Sequence, residues 1–347
     1  MEKYIYNALI EYNFDQPAML CSQVEWQGSV PRRDYPVMLV LYNGTTIGTI
    51  GGGAMEHQVI NAARDLFPTE TAVLRKFDLS ATEAQGDASI CGGWTAILIE
   101  LFTPATQTFI RDAFTKEQVI LLHISGENPA VIRRQIVNLD QNPGKFPDSV
   151  AKALQSNQSD GRPKSISIGD ELFLIKYTKA QPVLHIFGAG HVAKSVAELA
   201  QFIELDYCIY DDRSDLASPE RFPVALLIDT SQIHAVPTTA KLAENDFVLV
   251  ATRGHRHDFQ LMQWLLNQKI AYLGLMSSQR KWKILSKALF DYGFSESQLS
   301  AVHSPVGLDI GSETVPEIAV SVISEIINHL RRGERTKQSL SASKTNK

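Results

Sequence analysis

The sequence has 347 residues, a formal net charge of −5, and 44% hydrophobic and 20% charged residues. A chain of this length usually contains two domains, and the slightly acidic balance excludes the basic face that a nucleic-acid-binding protein would present. No apolar run approaches the ~20 residues that a membrane-spanning helix needs, so we expect a globular protein that does not cross a membrane.

The first half of the chain predicts a mixed α+β domain over residues 1–177. Its amphipathic start, residues 2–13, predicts a helix and lacks the uninterrupted apolar core of a signal peptide. Asn43-Gly44 lies between two apolar runs, which is the pattern of a β-hairpin. A second helix is predicted at 54–66, and a loop-rich stretch with a short helix at 142–171. Further strands are predicted within residues 71–79, 95–102, 118–126 and 130–139.

Three consecutive glycines, Gly51–Gly53, directly precede the second predicted helix. Such a run exposes several backbone N–H groups beside the positive end of a helix, so it can form an anion-binding nest. Arg32 and Arg33 are the candidates that would add charge to this nest. The alternative is a flexible hairpin exit, with Glu56 and His57 as ordinary residues of the first helical turn.

Three cysteines cannot form a disulfide framework, which agrees with a reducing, cytoplasmic compartment. Cys21 and Cys208 lie in predicted strands and are interpreted as small core residues. Cys91 differs because Gly92-Gly93 follows it, and neighbouring backbone amides would favour its thiolate form. Cys91 is therefore either a functional thiol or a structural one.

The second half, from residue 178 to 332, alternates strands and helices and predicts a Rossmann-like parallel sheet. Thr314 and Glu317 have capping-box spacing, with Pro316 in the first turn, and so mark the start of the last helix. The polar tail 333–347 is predicted to be disordered. Continuous apolar runs predict strands at 183–187, 207–212, 224–229, 246–252 and 270–276.

The pattern Gly188-x-Gly190-x-x-Ala193 follows a predicted strand and opens a helix, as in dinucleotide-binding domains. Asp211 stands at the end of the next strand, where an acidic residue would meet a ribose. The same loop can instead bind another phosphate-bearing ligand, or persist after binding is lost. NAD(P) or another nucleotide is therefore a candidate ligand.

Polar residues also follow the later strands of this half. His255, His257 and Asp258 suggest a metal site, but the sequence supplies no matching distant ligands, so a crevice-lining or helix-capping role is favoured. Arg280 and Lys281 are candidates for phosphate contacts or ordinary first-turn residues. No Tyr-x-x-x-Lys pair follows the glycine motif, which weakens the interpretation as an oxidoreductase.

Considered together, these motifs resemble the XdhC/CoxI family of accessory proteins for molybdenum hydroxylases. The resemblance spans about residues 1–330, and it departs from the family at Arg253-Gly254 and Ser277. The segments that carry it are GSVPR, GTIGGGAME, CGG, FGAGHVA, DDR, LGLMSSQRK and GLDIGSETVPEIAVSVISEII.

The resemblance implies a chaperone more than an enzyme. Family members bind molybdenum cofactor (molybdopterin) as cargo, protect it while a cysteine desulfurase-type sulfurtransferase installs its sulfur, and pass it to an apo-hydroxylase such as xanthine dehydrogenase. A homodimer is also expected. This chain has too few cysteines for the iron–sulfur clusters of a hydroxylase. The positions that match the family motifs are Arg32, Gly51, Gly52, Gly53, Glu56 and Cys91.

Two alternatives stay open at this point. The first is an NAD(P)-dependent oxidoreductase, and the second is a nucleotide-sensing interaction module. If a single cofactor contacts both halves, the loops at Gly51–Gly53 and Gly188 should line one cleft.

Overall fold

The structure is a computed structural model, and it divides into two compact units, Met1–Ala180 and Gln181–Lys347. Cys91 and the tail predicted to be disordered lie outside the described residues. No helix in the described part of the chain is long and apolar enough to cross a membrane. The structure describes residues 3–79, 92–114, 118–137, 146–156, 163–178, 182–232 and 239–332.

The first unit contains an antiparallel five-stranded sheet with the order β3-β2-β1-β5-β4. The predicted hairpin is confirmed, and Gly44 adopts the positive φ of 86° that its turn requires. The strands are β1 Ala18–Gln27, β2 Val37–Leu41, β3 Thr46–Gly48, β4 Val73–Asp78 and β5 Trp94–Leu101.

Three helices pack on the two faces of this sheet. They are α1 (Lys3–Ile10), α2 (Gly53–Leu66) and α3 (Pro104–Ala113). Apolar side chains at helical spacing on α2, such as Met55 and Val59, pack against the buried residues of β1 and β2. Helices α1 and α2 confirm the helices predicted at 2–13 and 54–66, whereas α3 was not predicted.

A second antiparallel sheet of the first unit has the order β7-β6-β9-β8. Its strands and helix are β6 Gln118–Ser125, β7 Val131–Val137, α4 Asp148–Ser156, β8 Lys164–Ile168 and β9 Glu171–Thr178. Strands β8 and β9 correct the sequence interpretation, which placed all of β8 in the loop-rich stretch 142–171 and predicted no strand over β9. Along β9, Leu172 and Leu174 pack toward residues of the first sheet, whereas Phe173 and Ile175 pack with α4.

The second unit is a parallel five-stranded sheet with the order β12-β11-β10-β13-β14, which confirms the predicted Rossmann-like domain. Helices cover both faces, and the edge strand β12 begins later than predicted. Its strands are β10 Leu184–Phe187, β11 Tyr207–Tyr210, β12 Leu227–Asp229, β13 Phe247–Val250 and β14 Tyr272–Leu275. Its helices are α5 His191–Phe202, α6 His255–Leu265, α7 Gln279–Tyr292, α8 Glu296–Ser300 and α9 Val315–Arg332.

The predicted start of the last helix is confirmed by its hydrogen bonds. The Glu317 carboxylate accepts the backbone N–H groups of Glu313 and Thr314, each at 2.9 Å. These N–H groups precede α9 and would otherwise lack a helical acceptor. Helix α9 then packs its apolar face, including Ala319 and Val322, into the core beside α5.

Candidate functional site

The carboxyl ends of β10 and β13 form the topological switch point of the parallel sheet. The chain leaves β10 toward β11 on one side, while β13 lies on the other side. Ligands of open α/β sheets bind in the crevice outside this point. The loop Gly188-Ala189-Gly190 occupies that position, directly between β10 and α5.

Glycine occurs at positions 188 and 190 of this loop for different structural reasons. Gly188 has a φ of 127°, and a Cβ atom there would lie 2.2 Å from the carbonyl oxygen of Ala251, so close packing requires glycine. Gly190 has an ordinary φ of −69°, and a Cβ atom there would meet nothing within 4 Å. No described side chain caps α5 at Gly190. Gly190 therefore leaves open space beside the amino end of a helix, where an anion binds favourably.

Asp211 stabilises this glycine loop through a hydrogen bond to its backbone. Its Oδ2 atom accepts the Ala189 N–H at 2.7 Å, and its Oδ1 atom accepts the backbone N–H and the Nε–H of Arg213 at 3.0 and 2.8 Å. Burial acts to raise the pKa of Asp211, but the Arg213 and Ala189 hydrogen bonds outweigh it and lower the pKa. The predicted ribose contact stays a prediction, and it would require Asp211 to give up one of these bonds.

The neighbouring acidic residue faces a different partner. Asp212 forms an ion pair with Arg253, which follows β13, at 3.2 Å. The Arg253 side chain is half exposed, and its guanidinium is the more accessible partner of the pair. Arg253, where the sequence analysis expects a departure from the family pattern, thus places a guanidinium paired with Asp212 at the rim of the crevice.

Asp258 lies at the start of α6 and is fully buried. It accepts a hydrogen bond from the Thr252 hydroxyl at 2.5 Å and forms an ion pair with Lys281. Lys281, a predicted phosphate ligand, therefore neutralises Asp258. No group of three His, Cys, Asp or Glu side chains that could hold a metal occurs among the described residues, from which the side chain of His255 is excluded.

The glycine run of the first unit surrounds an anion that the chain itself supplies. All three residues of Gly51–Gly53 have positive φ values. The Oε2 atom of Glu56 accepts the N–H groups of Ile50 and Gly52, each at 3.0 Å, and the hydroxyl of Thr49 at 2.5 Å. These donors form an anion-binding nest, as predicted for the glycines, but its acceptor is Glu56. Phosphate binding at this loop stays a prediction and requires Glu56 to be displaced.

Arg32 also has an internal partner. Its Nε atom donates to Oδ1 of Asp34 at 2.9 Å, and a second ion pair joins its Nη2 to Oδ2. Burial acts to raise the pKa of Asp34, but the Arg32 hydrogen bond and charge lower it. The positive charge of Arg32 is therefore largely balanced within its own loop, and its predicted contact with a cofactor stays a prediction.

The residues that follow Cys91 pack tightly against the loop after β1. A Cβ atom on Gly93 would lie 2.3 Å from the carbonyl oxygen of Gln27, and one on Gly28 would lie 3.0 Å from the Cα of Gly93. Close backbone packing therefore accounts for Gly28 and Gly93. Cys91 itself lies outside the described residues, so its role stays a prediction.

Sequence reasoning missed a set of polar side chains that face inward between the two sheets of the first unit. Each of them occupies an inward-facing strand position that is normally apolar. A polar residue in the apolar alternation of a strand is the sequence signal that could have identified them. The set comprises Ser22, Glu100, Arg134 and Lys176.

Comparison with known proteins adds a second line of evidence. A family model described as the XdhC Rossmann domain matches residues 184–326, and a model described as the XdhC and CoxI family matches residues 14–78. The chain belongs to the XdhC and CoxI family. The two matched ranges include both glycine loops, Arg32 and Asp211.

The similarity to two curated relatives extends along nearly the whole chain. The uncharacterized Escherichia coli protein YqeB is 25% identical over 312 residues, which are 90% of this chain but 43% of that protein. This chain thus spans less than half the length of YqeB. A Bacillus subtilis protein named as a probable subunit of xanthine dehydrogenase is 26% identical over 322 residues, covering 91% of this chain and 94% of that protein.

A solved structure supports the fold. The crystal structure of a Bacillus halodurans protein described as a xanthine dehydrogenase has a TM-score of 0.79 and 20% sequence identity. It covers 99% of both chains. The arrangement of strands and helices in this XdhC and CoxI family member is therefore that of a known structure.

Proposed function

We propose that this protein is an accessory factor in the maturation of a xanthine dehydrogenase-type hydroxylase. It binds molybdenum cofactor as cargo, holds it while a sulfurtransferase supplies the terminal sulfur, and passes it to the apo-hydroxylase. The observation that carries the proposal is the presence of both family matches in one chain. The name of the Bacillus subtilis relative, which refers to xanthine dehydrogenase, supports the identity of the client.

The chemistry of the Rossmann crevice fits the phosphate-bearing part of such a cargo. The open space at Gly190 admits a ligand oxygen close to the backbone, and the uncapped amino end of α5 supplies N–H donors. Arg253 places a half-exposed guanidinium at the rim, where a phosphate would compete with Asp212 for it. The crevice therefore holds the phosphate or nucleotide end of the cargo.

The glycine loop of the first unit fits a role in holding the cargo only in a state where Glu56 is released. Its donors are satisfied by Glu56, so an incoming phosphate competes with a carboxylate that is already in place. This competition lowers the affinity of the loop for the cargo, which suits a protein that must hand over its cargo. Cys91, which follows in the family motif, would supply a thiol for the sulfur exchange.

The decisive experiment is the isolation of the full chain from cells that produce molybdenum cofactor, followed by release and mass identification of the bound pterin. We expect a stoichiometric pterin that the Gly190→Ala protein retains poorly. A matched control is Ala189→Gly, because it alters the same loop without adding an atom to the ligand space. A folded wild-type protein that carries no pterin would refute the proposal.

A second assay tests the thiol. Cys91→Ser should lower the activity of a co-expressed xanthine dehydrogenase-type enzyme without loss of pterin binding. Cys208→Ala serves as the control. Cys208 is buried in β11, so this substitution removes a thiol that lies outside the family motif. Equal hydroxylase activity with Cys91→Ser and wild-type protein would exclude a role for the thiol.

The open crevice also favours a nucleotide-dependent oxidoreductase as the second candidate function. Gly190 leaves the same space for the pyrophosphate of NAD(P)H as for the cargo. Titration with NADH and NADPH, followed by fluorescence, distinguishes the candidates. Binding together with turnover of a carbonyl substrate supports the oxidoreductase, whereas pterin binding without nucleotide turnover supports the accessory factor.

A further inference from the structure

A cavity of about 130 Å³ lies between the two sheets of the first unit. Its walls come from β1 and β5 of the first sheet and from β6, β7 and β9 of the second. This volume is close to the ~150 Å³ of an engineered protein cavity that accepts benzene, and it is well above the share of one water molecule. The cavity is therefore large enough for a small organic molecule.

Most of the cavity wall is apolar. Leu20, Ile120, Leu122 and Leu174 project from strands on both sides, and aromatic residues of α3 and the following turn close one end. A fully hydrated ion such as inorganic phosphate would lose its water against such a wall without enough donors to replace it. The wall instead favours a ligand with a compact apolar body.

The charged residues of the wall leave one cation without a hydrogen bond or an ion pair of its own. Glu100 forms an ion pair with Arg134, and Asp34 is held by Arg32. Lys176 forms no hydrogen bond or ion pair with any described residue, and its amine lies 5.9 Å from the Tyr35 ring centroid. An unpaired ammonium at an inward-facing strand position is costly for folding, so its presence calls for a reason other than packing.

A neutral donor lies in the same cavity. Ser22 on β1 is 8% exposed, and its hydroxyl has no hydrogen-bond partner in the described part of the chain. A buried hydroxyl is normally paired, so Ser22 and Lys176 each contribute an unsatisfied donor to the wall of this cavity. A carboxylate is the kind of ligand that satisfies such donors, because its two oxygen atoms accept several hydrogen bonds.

We propose that this cavity binds a small organic carboxylate, with its apolar body between the sheets and its charge on Lys176 and Ser22. Burial lowers the pKa of Lys176 from 10.5 to about 8, and the charge of Asp34 offsets part of this effect. The amine is therefore still mostly protonated at neutral pH, and a bound carboxylate would supply the missing counter-charge. This site is independent of the Rossmann crevice.

Titration calorimetry of the full chain at pH 7 tests the proposal with benzoate and with its neutral analogue benzamide. Benzoate should bind saturably and at least about tenfold more tightly than benzamide, as expected for a charge-assisted pair in an apolar cavity. In Lys176→Met this preference should fall to about threefold or less, while benzamide affinity stays within about twofold. Ser22→Ala should weaken benzoate alone.

Lys164→Met is the matched control, because Lys164 is an exposed lysine on the neighbouring strand β8. It should keep the full preference for benzoate, and circular dichroism should show that all variants are folded. No saturable benzoate binding up to about 20 mM would overturn the proposal. An unchanged preference in the folded Lys176→Met protein would also overturn it.

Discussion

Replacement of Lys176 by methionine should make the protein more stable at neutral pH. Lys176 occupies an inward-facing position of β9 and forms no ion pair with a described residue, and the charge of Asp34 offsets only part of the effect of burial. Methionine has nearly the same length and keeps the apolar stem, but it removes the charge that burial disfavours. An increase in stability upon loss of a wild-type residue is expected where that residue serves a ligand.

The pKa shift of Lys176 determines the size of the expected stability gain. The difference between 10.5 and about 8 corresponds to an upper limit of roughly 3 kcal/mol, since one pKa unit represents about 1.4 kcal/mol. Lys176 is partly exposed because it lines the cavity, so screening reduces this to roughly 1–2 kcal/mol. For a unit of this size the melting temperature should rise by about 2–8 °C.

The sign of the pH dependence provides the stricter test. The folded state binds the Lys176 proton less tightly than the unfolded state, so the penalty is complete below about pH 8. It fades as pH rises and is absent above pH 10.5, the ordinary value. The gain from Lys176→Met should shrink over the same range. The other titratable or charged groups of the cavity wall are Asp34, Tyr35, Glu100, Arg134 and Tyr177.

Thermal unfolding of wild type, Lys176→Met and Lys164→Met from pH 7 to pH 10.5 measures this difference directly. The five wall groups are common to all three proteins, so their own titration cancels in the comparison. A stability gain that is constant across this pH range would contradict the electrostatic explanation. A lower melting temperature for Lys176→Met at pH 7 would refute the reasoning altogether.

Three further changes should alter stability in calorimetric or urea unfolding. Glu56→Ala should cost about 1–2 kcal/mol, because two backbone N–H groups lose their acceptor, and an unchanged midpoint would contradict this role. Gly188→Ala should cost more than about 2 kcal/mol, whereas Gly190→Ala should stay within about 0.5 kcal/mol of wild type; equal costs would refute the distinction between these glycines. Asp211→Asn should cost about 3 kcal/mol at pH 7. This cost should shrink as pH falls below 3.8, because the stability that comes from the lowered pKa is lost as Asp211 becomes protonated. A pH-independent cost would argue against the ion pair.

The sequence predicted the second unit well because its strands are continuous apolar runs. Strands of a parallel sheet are buried on both faces, so the pattern is easily recognised between Gly188 and the last helix. The capping residues Thr314 and Glu317 were equally readable, since a cap depends on local contacts. Edge strand β12 was predicted too long because its neighbour pairs with it over only three residues.

The second sheet of the first unit was harder to predict. Strand β8 is short and polar, and its partner β9 interrupts an apolar run with Lys176. The Gly169-Asp170 pair in the turn that joins them is a signal that the sequence does contain, because a tight turn of this kind favours glycine. Gly169 indeed adopts a positive φ of 58°. The cavity could not have been predicted, because Ser22 and Lys176 are 154 positions apart and come to line one cavity only through the packing of two sheets.

The partners of charged residues were the least predictable feature of the site. A glycine run or a lone arginine shows that an anion fits nearby, but not whether the chain supplies it. Glu56 and Asp34 supply it in the first unit, whereas no described side chain caps Gly190 in the second. An external phosphate would therefore meet weaker competition at Gly190 than at the loop around Glu56, whose internal carboxylate would first have to be displaced.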